Sequence, residues 1–114
     1  MAKSSFKLSR YQNNVALLTF SGSLDAMIIS KAVNDCIDKN LINIVVNLDQ
    51  VLYTSSAFLS TFIGLNSMLE KNSGRIVFIQ PPKNIFIVMT LMGFKEYFEY
   101  YTTKNHALSS LISQ

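Results

Sequence analysis

His106 is the only histidine of the chain and Cys36 its only cysteine. A hydrolytic triad needs a histidine between a nucleophile and a carboxylate. His106 lies in Asn105-His106-Ala107-Leu108, a helical pattern in which a solvent-facing or helix-packing role is expected. A metal centre needs more ligands than Cys36 and His106 can supply, and a lone cysteine forms no internal disulfide. The seven acidic residues are spread out, without the close spacing of paired-carboxylate chemistry. No Gly-x-Gly-x-x-Gly or Walker-type loop is present to cradle a nucleotide. The expectation is therefore a protein with no catalytic residue, no metal and no cofactor of its own, and not an enzyme.

Two short stretches remain. Gly22-Ser23-Leu24-Asp25 joins a strand to a helix, where glycine permits a tight turn and the aspartate can cap the helix. Tyr53-Thr54-Ser55-Ser56-Ala57-Phe58 sets three hydroxyls in a row at a helix start. Capping needs only one of Ser55 and Ser56. The same run also presents hydroxyl oxygens beside free backbone N–H groups, where a phosphoryl group would meet the positive end of the helix dipole. Both readings stand on the residues alone.

The elements that position these stretches follow from periodicity. Residues 6–11 alternate apolar and polar, Asn13-Asn14 is a turn dipeptide, and residues 15–20 form a second strand, giving an antiparallel hairpin. From Ala26 to Lys39 the apolar positions Ile28, Ile29, Ala32, Val33, Cys36 and Ile37 mark one face of a helix. Residues 42–48 are β-branched and almost wholly apolar, as in a strand covered on both faces. A loop is expected from Asp49 to Thr54. A helix over 55–71 follows, with Phe58, Leu59, Phe62, Ile63, Leu65 and Leu69 as its buried stripe. Asn72-Ser73-Gly74 stops it. A strand is expected over 75–80, an apolar helix over 85–92 ending at Gly93, a short edge strand within 97–101, and a last helix over 106–112. The order β-β-α-β-α-β-α-β-α predicts an α/β fold, with a mixed β-sheet and helices packed on it.

At 114 residues and 49% apolar composition, the chain is expected to form one domain (residues 1–114) with a substantial core. The net charge of +3 comes from singly spaced lysines and arginines without aromatic interleaving, which predicts no nucleic-acid partner. Residues 1–9 carry two lysines with no apolar stretch behind them, unlike a signal peptide. The longest apolar run, from Ile85 to Phe94, is interrupted by Thr90 and Gly93 and falls short of the ~20 residues of a membrane span, so no membrane insertion is expected. A cytoplasmic location follows as the expectation.

The ordered set Gly22-Ser23-Leu24-Asp25, Ile44-Val45-Val46-Asn47-Leu48, Val51 to Leu59, Leu91-Met92-Gly93-Phe94, Tyr100-Tyr101-Thr102 and His106-Ala107-Leu108 resembles the STAS domain of bacterial anti-sigma factor antagonists. The resemblance spans almost the whole chain. It implies a phosphorylation site at Ser55, with Ser56 the nearest competitor, because the family's helix begins Asp-Ser-(Ser/Thr)-Gly-Leu-Gly. It implies a partner surface around Gly22, Asp25, Thr54, Ser55, Ser56 and Ala57. The implied partners are an anti-sigma factor serine kinase and a phosphatase. The unphosphorylated protein would bind the kinase and release the sigma factor, and phosphorylation would end binding. Thr54 and Ala57 depart from the family's aspartate and first glycine. The alternative is a constitutive STAS scaffold or transporter-associated subunit without phosphorylation.

Overall fold

The computed structural model describes residues 3–113. Its elements are β1 (Ser5–Tyr11), β2 (Val15–Ser23), α1 (Ala26–Asp38), β3 (Asn43–Tyr53), α2 (Ser56–Leu59), α3 (Thr61–Glu70), β4 (Arg75–Ile79), α4 (Lys83–Leu91), a 3-10 turn (Phe94–Glu96), β5 (Tyr100–Tyr101) and α5 (Lys104–Ile112). One sheet runs β1-β2-β3-β4-β5; only the first pairing is antiparallel. The mixed sheet expected from the hairpin and the β-α alternation is thus the observed one.

The hairpin closes through Asn13 and Asn14, both at positive φ (58° and 60°), which asparagine tolerates better than most residues. Past it, the strand alternation sorts side chains onto two faces. Ala16, Leu18, Phe20, Ile44, Val46, Leu48, Ile76 and Phe78 form the larger core with the buried sides of α1, α3 and α4. Val15, Leu17, Val45, Val77 and Ile79 face the other way and are covered by Ala107, Leu108 and Leu111 of α5. The central strands are covered on both sides, which is why they read as continuous apolar runs.

Three boundaries differ from expectation. The loop expected over 49–54 is instead the end of β3. Gln50, Val51 and Tyr53 pair with Ser21, Gly22 and Ser23, after irregularities that shift the register. Gly22 sits at φ 78°, a left-handed value open to glycine, and this lets polar β2 residues stay in the sheet past the apolar stretch. The helix expected over 55–71 is interrupted at Ser60, whose hydroxyl donates to the Ala57 carbonyl at 2.7 Å. The edge strand expected over 97–101 is only Tyr100–Tyr101, with residues 97–99 outside it after a 3-10 turn at Phe94–Glu96. At the stop before β4, a Cβ on Gly74 would lie 2.3 Å from the Ile42 carbonyl oxygen, so only glycine fits that close approach.

Cys36 packs fully buried on the inner face of α1. Burial pushes its thiol from 9.0 up to about 12, with Asp35 adding to the rise and Lys39 opposing it. Burial also raises the Tyr100 phenol from 10.0 to about 12. Both groups keep their protons longer in the folded chain than in the unfolded one. Their contribution to stability is therefore complete below pH ~9 and is lost as pH rises toward ~12. Urea melts should give a flat midpoint up to pH ~9 and a falling one above it. A midpoint still flat at pH ~11 would contradict the burial of both groups.

Candidate functional site

The two stretches singled out by residue type meet at the carboxyl ends of β2 and β3. These strands are parallel neighbours, so the turns that leave them lie side by side. The Leu24 N–H donates to the Tyr53 carbonyl at 2.8 Å, and the Thr54 hydroxyl donates back to the Leu24 carbonyl at 3.2 Å. Leu24 itself is buried and anchors the turn. Thr54 therefore ties one loop to the other.

Both helix starts are capped. Asp25 has extended backbone, and its Oδ1 accepts from the Ile28 N–H at 2.9 Å. Ser55 does the same for α2, its Oγ accepting from the Phe58 N–H at 3.2 Å. Ser56 is the first helical residue, not the cap. In the unsubstituted chain the cap bond therefore comes from Ser55, and Ser56 supplies none. Ser55→Ala should therefore lower stability by about 1 kcal/mol. Ser55→Asn should keep it within a few tenths, and urea melts of the two variants would separate the outcomes. Equal loss in both would mean that the cap bond does not matter.

A shallow cavity of about 240 Å³ opens between the loops, lined by Ser23, Leu24, Asp25, Tyr53, Thr54, Ser55 and Phe58. Ser55, Ser56 and Ala57 are exposed around its mouth. Of the six residues expected to form a partner surface, Asp25, Thr54 and Ser55 line this cavity. Ser56 and Ala57 continue the exposed surface, and Gly22 lies behind it, shaping the end of β2.

The sequence reading did not mark four exposed apolar side chains on the flanking elements. Tyr53 (62% exposed) and Phe58 (39%) line the cavity, while Leu52 (63%) and Met27 (83%) lie outside its lining. Phe58 had been assigned to the buried stripe of its helix. It points outward because α2 turns only Leu59 into the core before the break at Ser60. The signal for Leu52 and Tyr53 was present in principle, since a strand continued past Asp49 must place side chains on both faces. Exposed aromatic and aliphatic side chains around a hydroxyl cluster suit a surface that another protein covers.

His106 lies elsewhere, on α5, with its ring against Tyr101 at a centroid distance of 5.2 Å. Among the described residues no three His, Cys, Asp or Glu side chains gather as a metal would require. No described helix is long and apolar enough to cross a membrane.

The STAS domain model matches residues 8–107. No curated protein matches the chain at a significant level. Among solved structures, the anti-sigma factor antagonist SpoIIAA in its unphosphorylated form superposes with a TM-score of 0.78 at 17% identity, covering 96% of this chain and 98% of that one. The phosphorylated form of the Bacillus cell fate determinant SpoIIAA gives 0.71 at 17% identity, covering 94% and 99%. An anti-sigma factor antagonist from Mycobacterium paratuberculosis gives 0.81 at 19% identity, covering 96% and 94%. At these identities the likeness is one of fold.

Proposed function

This chain belongs to the STAS domain family, and from that premise we propose that it is an anti-sigma factor antagonist that works by partner switching. In its unphosphorylated form it binds an anti-sigma factor serine kinase in the bacterial cytoplasm and frees the sigma factor. The kinase then transfers the γ-phosphoryl of ATP to Ser55. An O–P bond forms at the Ser55 hydroxyl, the bond to the β-phosphate breaks, ADP leaves, and the hydroxyl proton passes to a base on the kinase. A phosphatase hydrolyses the ester and resets the protein.

The observation that carries this reading is the position of Ser55. Its hydroxyl stands exposed at the junction of β3 and α2, among outward-facing apolar side chains. The cap bond uses its oxygen as an acceptor and leaves the proton free to be given up. Once attached, a phosphoryl group gains acceptor oxygens for the unpaired N–H groups of the first helical turn, so the fold can hold it. The partner cannot hold it as easily. Close to two negative charges would have to lose water against Tyr53 and Phe58 on docking.

Mass spectrometry after incubation with ATP and the kinase-like product of a neighbouring gene tests the acceptor. The expected result is one phosphate on Ser55, retained in Ser56→Ala and absent from Ser55→Ala. Thr54 is a poor acceptor because its hydroxyl is held by the Leu24 carbonyl. Tight binding with no phosphate on Thr54, Ser55 or Ser56 would replace the switch by the constitutive scaffold.

A further inference from the structure

The sheet ends in two very different edges. β5 is two residues long and exposes little unpaired backbone, whereas β1 presents seven residues, Ser5–Tyr11, with β2 on one side and, among the described residues, no strand on the other. A long open edge is a template for another strand, and proteins that must stay single usually blunt it with bulges, proline or charged side chains, lysine above all. β1 pairs with β2 in unbroken register and holds no proline. Its charges, Lys7 and Arg10, fall on opposite faces by strand alternation. We propose that β1 is a self-recognition edge through which two copies of this chain pair antiparallel about a two-fold axis, joining their sheets.

The register follows from the sequence of the strand. Symmetric pairing keeps core faces together only if it centres on a residue. Centring on Lys7 would set Lys7 against its own copy, and centring on Arg10 would do the same to Arg10. Centring on Ser9 shortens the pairing and places Leu8 against Arg10. Centring on Leu8 uses the whole strand with no like charges opposed: Ser5 meets Tyr11, Phe6 meets Arg10, Lys7 meets Ser9 and Leu8 meets Leu8. On the helix-covered face Phe6 and Leu8 are only half-buried, Phe6 against Phe20 at 6.3 Å. The pairing would cover them and set the Arg10 guanidinium of the second copy by the Phe6 ring. On the other face Ser5, Lys7, Ser9 and Tyr11 line an open trough of about 550 Å³, so Ser9 has room for a longer side chain. Ser55 follows β3, separated from this edge by β2, and pairing leaves its loop open.

Two substitutions at Ser9 test the register in opposite directions. Ser9→Lys opposes Lys7 of the second copy twice and should weaken the dimer roughly tenfold. Ser9→Glu places a carboxylate by the same ammonium twice and should strengthen it by a similar factor. Sedimentation equilibrium over a concentration series reads both, with circular dichroism confirming that each variant is folded. Monomers at every concentration for all three proteins would overturn the proposal. So would a dimer whose dissociation constant neither charge moves, since that dimer would use another surface.

Discussion

Ser55→Asp should fold normally and bind the anti-sigma kinase at least about tenfold more weakly than the unmodified protein, a loss of about 1.4 kcal/mol or more. The two halves of that expectation have separate causes. Aspartate caps a helix about as well as serine does, so the bond to the Phe58 N–H survives and stability changes little. Binding, in contrast, would bring the new carboxylate against a partner surface proposed to include the exposed Tyr53 and Phe58 beside Ser55. A charge that loses water there without a partner is costly. Ser55→Ala behaves in the opposite way, losing the cap while keeping a neutral surface that the kinase can cover. Calorimetric titration of both variants, set beside their urea melts, separates charge from folding. Equal affinity for Ser55→Asp and the unmodified chain would remove Ser55 from the interface.

Phe78→Ala should cost about 3–5 kcal/mol, a large share of the ~5–15 kcal/mol that holds a domain of this kind together. Phe78 is fully buried on β4 and touches four aromatic rings. It meets Phe62 edge-on at 5.2 Å and Phe98 at 5.1 Å, with Phe94 and Tyr100 each at 6.0 Å. These neighbours come from α3, the 3-10 turn, the stretch after it and β5, so one ring ties the carboxyl half of the chain to the sheet. With urea m-values of ~1–3 kcal/mol/M, the midpoint should fall by more than about 1 M. Phe58→Ala, at an exposed position, should change stability by no more than about 0.5 kcal/mol. Similar effects at the two positions would contradict the packing described.

Periodicity carried most of the architecture. The apolar steps of α1 and the β-branched run that opens β3 are long and regular; α1 was legible at both ends and β3 at its start to within about one residue. What escaped was set by interactions between distant segments. β3 continues to Tyr53 because Ser21, Gly22 and Ser23 remain beside it, a pairing that residues 49–53 do not announce. α2 and α3 separate at Ser60 through a hydroxyl-to-carbonyl bond that is invisible in an apolar stripe. β5 is held by only two bridges to β4, too few to leave an alternating pattern. At the candidate site the caps were legible by type, since Asp25 and Ser55 are good N-cap residues. The choice of Ser55 over Ser56 was not, because it depends on where β3 stops. Phe58 was misplaced for the same reason: a helix that breaks after one turn does not carry a full buried face.

The most direct measurement compares kinase affinity for two preparations of the same chain, one unmodified and one carrying a single phosphate on Ser55, by titration under identical salt. The switch predicts that the phosphorylated protein binds at least about tenfold more weakly. Indistinguishable affinities would contradict it, as would tighter binding of the phosphorylated form.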